Sequence, residues 1–217
     1  MHGYLASSKT FSYQLAYFKK YFQVFCFDLK GFGENLDMPY PYSLDDYIKE
    51  VKTFLNDNNI VKPHVIAHSF GCRIAIKMAA EDPQIFDKMV LTGAAGLKPK
   101  NSVKKAIRRT AFKVAKRFIP KEKLTKFYSK DYQTLSPVMQ DSFKKIVNEH
   151  LDGYLNKIEN QTLLIFGRCD KETPLYMAKR LNKGIKNSKL SIYDNAGHFC
   201  FIDKSAKFNV EVKEFLL

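Results

Sequence analysis

The sequence predicts a parallel α/β fold interrupted by one all-helical insertion, and three observations lead there. Short apolar runs alternate with helical patterns along most of the chain. Three of these runs end in turns that carry chemically able residues: Ala67-His68-Ser69-Phe70-Gly71, Gly167-Arg168-Cys169-Asp170 and Asn195-Ala196-Gly197-His198. Between Leu97 and Gln161 the alternation stops and only helical patterns remain. The expected division is a core of residues 1–96 and 161–217 with a helical segment of 97–160.

In order, His2-Gly3-Tyr4 opens the chain and an aromatic-rich helix is expected over Thr10 to Tyr21, on Phe11, Leu15 and Phe18. Phe22 to Phe27 is an apolar run read as a strand over 22–28, followed by the glycine-punctuated loop Leu29-Lys30-Gly31-Phe32-Gly33. Ser43 with Asp46 three residues on is a capping box for a helix over 44–57, whose apolar face includes Tyr47, Val51 and Leu55. A strand over 63–67 meets the Ser69 turn, and a helix runs from there to about Glu81, before Asp82-Pro83. Strands are expected over 89–92, 162–166 and 189–193. Thr173-Pro174 reads as a helix start with threonine as cap, opening a helix over 175–184, and a last helix covers roughly 204–217.

Within the insertion, Val103, Ile107, Ala111, Val114 and Phe118 form one stripe, with Lys105, Arg109, Lys113, Lys116 and Arg117 mostly opposite. Ser136-Pro137 opens another helix, with Val138, Phe143, Ile146 and Val147 as its apolar positions. The net charge of +14 is concentrated here. Residues 98–130 hold thirteen Lys or Arg against Glu122, a net of +12, which leaves +2 for everything else. The basicity belongs to one segment. Helix 102–119 is read as a solvated face, with contact to an anionic membrane surface and steering of acidic substrates as the other readings. Nucleic acid ranks last, because no aromatic platform accompanies the charge.

At 217 residues and 45 % hydrophobic content the chain suits one globular core with an insertion. Cys26, Cys72, Cys169 and Cys200 are scattered, with no spacing that suggests zinc or a redox motif, and a reducing, cytoplasmic setting is expected. No apolar run is long enough for a transmembrane helix and no signal-peptide pattern is present. No metal or cofactor is implied.

A serine on a sharp strand-to-helix turn has its hydroxyl clear of the sheet, and the N–H groups behind it can face an oxyanion. Asp170 and His198 also lie just past strand ends, and in an open parallel sheet those ends share one edge. The order Ser, Asp, His is that of a hydrolase triad on such a sheet. His198 would take the proton of Ser69, and Asp170 would fix the tautomer of His198.

On these motifs, with Asp28-Leu29-Lys30-Gly31-Phe32-Gly33, the chain resembles the α/β-hydrolase superfamily, a doubly wound, mostly parallel sheet, over nearly all its length. Among its members it is most similar to the meta-cleavage-product hydrolases and simple carboxylesterases. The resemblance implies that Tyr4 and Phe70 supply the oxyanion N–H groups and that the helical segment caps the site. It also raises Arg73, four residues after Ser69, as a site for a substrate anion, beside a structural salt bridge. Ala67 stands where glycine is usual, and Cys72 where glycine is frequent. The expected activity is cleavage of a small carboxylic ester or a related acyl or carbon–carbon bond through an acyl-enzyme. The alternatives are a non-catalytic binding protein or a lyase of the same fold.

His64 and His68 read as packing or hydrogen-bonding residues, Asp28 as a brace for its loop, and Glu172 as a rival to Asp170. The family places a strand ahead of its His-Gly loop, between the runs 22–28 and 63–67, where this chain has only Met1. The reading is therefore an N-terminally truncated form of a competent protein, aggregation-prone at its exposed sheet edges, for which an upstream targeting segment stays open.

Overall fold

A computed structural model of the protein describes residues 1–100 and 130–217. Among them, four strands form one parallel sheet in the order β1 (Val65–His68), β2 (Met89–Thr92), β3 (Thr162–Gly167) and β4 (Ser188–Tyr193). Ala67 pairs with Leu91, Leu91 with Leu164 and Leu164 with Leu190, so the C-terminal ends of all four lie along one edge. The longer helices are α1 (Ser12–Phe18), α2 (Leu44–Asp57), α3 (Phe70–Glu81), α4 (Pro137–Asn148), α5 (Leu175–Gly184) and α6 (Ser205–Leu216).

Strand residues alternate between two apolar layers, as side chains of period two must. Met89, Leu91, Leu164 and Phe166 pack with α2, α3 and α5 through Val51, Ile74, Met78 and Leu181. Val90, Leu163 and Ile165 pack with α1 and α6 through Phe18, Phe208 and Val212. A sheet covered on both faces explains why β2 and β3 are buried at every residue and read as continuous apolar runs.

The local signals hold at α2, where Ser43 Oγ accepts from the Asp46 N–H and Asp46 Oδ2 accepts from the Ser43 N–H at 2.7 Å. Ser136 Oγ accepts from the Met139 N–H in the same way and starts α4. The buried face of α4 is Met139, Ser142 and Ile146, of which only Ile146 was expected. Ser142 donates to the Tyr42 carbonyl at 2.8 Å, and that bond turns its row of the helix inward.

Two expectations are corrected, while the last helix, expected over roughly 204–217, is α6 at Ser205–Leu216. Thr10 to Tyr21 is a 3-10 turn, Ser8–Phe11, followed by the shorter α1. Residues 22–28 form no strand. A ladder needs a neighbouring backbone at about 4.8 Å, whereas a cavity of about 540 Å³, lined by Met1, Phe22, Val24, Phe27, Val65 and Ile66 among others, separates this run from β1. Among the described residues Met1 alone bonds to that edge of β1: its amine donates to the Ile66 carbonyl at 2.6 Å and its carbonyl accepts from the His68 N–H at 3.0 Å. Helix 102–119 and its stripes lie outside the described residues. No helix among the described residues is long and apolar enough to cross a membrane.

Candidate active site

β1 ends at His68 and α3 begins at Phe70, so Ser69 makes the turn alone, with φ +49° and ψ −105°. A non-glycine residue at positive φ is strained, and its surroundings must hold it there. They do so with a Ser69 N–H bond to the Thr92 carbonyl at 3.1 Å and with bonds to the Ser69 carbonyl from Cys72 and Ala95 at 3.2 and 3.3 Å. Gly71 is required by the opening segment of the chain. A Cβ there would lie 2.6 Å from the Met1 carbonyl and 2.8 Å from that of His2. The opening segment thus fits directly against the elbow.

Asp170 follows β3 and His198 follows β4. The two loops are sewn together by bonds from the Arg168 N–H to the Tyr193 carbonyl and from the Cys169 N–H to the Ala196 carbonyl, both 2.9 Å. His198 Nδ1 lies 2.8 Å from Asp170 Oδ2. The other contacts to Asp170 are the Glu172 and Thr173 N–H groups on Oδ1, both 2.9 Å, and the Thr173 hydroxyl on Oδ2 at 2.7 Å. Burial pushes this carboxyl up, but the bonds from His198 and Thr173 outweigh it and hold it below the usual carboxylate range. Glu172 is exposed and offers Asp170 only its N–H.

Thr173 is the residue the sequence reading missed. It was expected to cap α5, but the N-cap is Pro174, and the Thr173 side chain is turned back to Asp170. The signal was the spacing Asp-x-x-Thr, by which an aspartate accepts from the turn ahead of it.

Ser69 Oγ and His198 Nε2 have no hydrogen-bond partner among the described residues. Such pairs are often long in the absence of substrate. The N–H groups of Tyr4 and Phe70 likewise find no acceptor among the described residues, although Ser69 and Gly71 beside Phe70 both do. The loop carrying Tyr4 is braced by His2, which lies 2.8 Å from the Gly3 carbonyl through Nδ1 and accepts from the Leu29 N–H at 3.0 Å through Nε2. Asp28 braces the next loop, accepting from the N–H groups of Ser8 and Glu34 at 2.6 and 2.9 Å. The Tyr4 hydroxyl donates to the Met139 carbonyl at 3.0 Å and ties this loop to α4.

Of the two readings of Arg73 the structural one fits, in the form of hydrogen bonds to carbonyls and not of a salt bridge. Its Nη1 donates to the carbonyls of Ile146 and Glu149, both 2.9 Å, so the guanidinium closes the C-terminal end of α4. A cation spent on two carbonyls in a buried setting is poorly available to a substrate anion. Burial lowers it to about 10, against the opposing charge of Glu149, and it stays charged. Lys77, one turn on, completes the junction with Asp45 at 2.5 Å and Glu149 at 2.6 Å. His64 pairs with Asp87 at 3.3 Å, at the opposite end of β1 from Ser69. Among the described residues, no group of three or more His, Cys, Asp or Glu is arranged to hold a metal ion.

Comparison with known proteins gives a match to the family model described as the alpha/beta hydrolase fold over residues 1–119, and to one described as TAP-like protein over residues 141–217. The chain is similar to the AB hydrolase superfamily protein YisY of Bacillus subtilis, 27 % identical across 99 % of this chain and 89 % of that one. It is 24 % identical, over 77 % of this chain and 66 % of the relative, to a 2-hydroxy-6-oxononadienedioate/2-hydroxy-6-oxononatrienedioate hydrolase of Paraburkholderia xenovorans. Among solved structures, the meta-cleavage product hydrolase CumD of Pseudomonas fluorescens IP01 superimposes with a TM-score of 0.76 at 24 % identity, over 99 % of this chain and 88 % of that one. A hydrolase from Pseudomonas aeruginosa PA01 does so with a TM-score of 0.78 at 20 % identity, over 99 % and 87 %. These structural likenesses speak for the fold.

Proposed function

Because this chain belongs to the α/β-hydrolase family, we propose that it is a serine hydrolase with Ser69 as nucleophile, His198 as proton carrier and Asp170 as its orienting carboxylate. The observation that carries the reading is the Asp170–His198 bond of 2.8 Å on the strand edge that also holds the strained Ser69 turn. With Asp170 on Nδ1–H, Nε2 of His198 keeps its lone pair. It takes the Ser69 proton as Oγ attacks a carbonyl carbon, and returns it to the leaving group. The Tyr4 and Phe70 N–H groups are proposed as donors to the tetrahedral oxyanion, which their lack of another acceptor supports. Water, deprotonated by His198, then releases the acid from the acyl-enzyme and frees Ser69.

The segment 97–160 is proposed as a cap over this site. In its described part, α4 is tied to the core through Tyr4, Tyr42 and Arg73. For substrate we infer a small carboxylic ester or a carbon–carbon bond beside a carbonyl, the second because relatives are named as hydrolases of 2-hydroxy-6-oxo dienoates. A panel of p-nitrophenyl esters of graded acyl length, run beside a 2-hydroxy-6-oxo dienoate, tests this. Turnover of at least one compound, absent with Ser69→Ala, is expected. Equal rates with and without the Ser69 hydroxyl would end the proposal.

A further inference from the structure

His68 was expected to be a packing or hydrogen-bonding residue, and it is both, with its ring between the loop of Gly3 and the loop of His198. It is 1 % exposed, directly ahead of Ser69. Its Nε2 lies 3.1 Å from the carbonyl oxygen of His198, and a carbonyl can only accept, so Nε2 carries the hydrogen. Nδ1 is then a bare acceptor. It is buried, has no hydrogen-bond partner among the described residues, and faces Gly3, where a Cβ would lie 2.8 Å away. The ring packs against those of His198 at 4.7 Å, Phe199 at 4.8 Å and Phe201 at 4.9 Å.

The remaining hydrogen bonds of His198 are few. Its ring is held through Nδ1 by Asp170, with the Thr173 hydroxyl at 3.4 Å, and its backbone through the carbonyl by His68. We propose that His68 is a positioning residue, an Nε2–H imidazole that anchors the His198 backbone while Asp170 anchors the ring. The inference rests on the Ser69 mechanism above.

Neutrality suits this role. Burial first and then the charge of His198 push the His68 imidazole down to about 3, with the Met1 amine adding to the effect and Asp170 opposing it. A second imidazolium beside His198 would oppose the charge that His198 must take up during the reaction. A neutral ring can donate to the His198 carbonyl in every stage of the cycle. The missing Cβ at Gly3 lets this ring lie against the loop that carries the Tyr4 N–H. One side chain thus spaces the oxyanion loop from the histidine loop.

The test compares His68→Gln, whose amide can donate from about the Nε2 position, with His68→Leu and His68→Phe, which fill space without donating. On the best ester, the Leu and Phe variants should lose about tenfold to a hundredfold in kcat, the scale of a misplaced catalytic group, with KM little changed. His68→Gln should recover most of it. The far-downfield proton of the His198–Asp170 bond should broaden or vanish in His68→Leu and persist in His68→Gln. Wild-type kcat and an unmoved downfield proton in a folded Leu or Phe variant would overturn the role, as would a Gln variant impaired like Leu. Ser69→Ala, run alongside, separates the failures: activity that survives it sinks the mechanism itself, not the placement of His68.

Discussion

Replacing His198 with alanine is expected to lower kcat on the order of 10⁶-fold, essentially to background, while the thermal transition moves little. The size follows from the lack of a substitute among His2, His64 and His68. Both nitrogens of His2 are engaged, with the Gly3 carbonyl and the Leu29 N–H. His68 Nε2 faces the His198 carbonyl, its Nδ1 faces Gly3, and burial keeps it neutral. His64 is at the far end of β1, against Asp87. No second imidazole among these can take the proton of Ser69. Steady-state kinetics on the best substrate, with circular dichroism as fold control, reads the effect. A folded variant that kept more than about a tenth of the activity would assign the base elsewhere.

Asp170→Asn should fall on the order of 10⁴-fold in kcat with little change in geometry. The amide can donate to Nδ1 where the carboxylate accepted, and that would leave the hydrogen on Nε2, which could then not receive a proton from Ser69. The same change carries a pH-dependent cost in stability. Because the hydrogen bonds outweigh burial and depress the carboxyl in the folded protein, its contribution is fully present above the unfolded carboxylate value of ~3.9. It is lost as pH falls through the lower folded value. The wild-type advantage over Asp170→Asn in thermal midpoint should therefore shrink as pH is lowered below about 4. An Asn variant with wild-type kcat would remove Asp170 from the mechanism.

The rim of the sheet was legible because it is written in short local signals. Ser69, Asp170 and His198 each stand just past a buried run, and register then aligns those runs without further information. The caps of α2 and α4 were legible for the same reason, since Ser43 and Ser136 each act on a backbone three residues away. What failed was set by partners distant in sequence. Residues 22–28 have the composition of a strand, but a strand exists only through its neighbour, and composition does not show who pairs with Phe25. The inward face of α4 was chosen by the carbonyl of Tyr42, and the fate of Arg73 by the end of α4, each more than seventy residues away. The general reading of His68 as packing or hydrogen-bonding stands, but its partner, a carbonyl 130 positions on, was not legible for the same reason.

The central claim is that the Ser69 hydroxyl attacks a carbonyl with the help of His198. Its most direct measurement is exposure of the protein to a fluorophosphonate, followed by intact and peptide mass. The account predicts a single adduct on the peptide that contains Ser69, formed rapidly, slowed severely in His198→Ala and absent in Ser69→Ala. An adduct on another residue, or one that persists in Ser69→Ala, would contradict it.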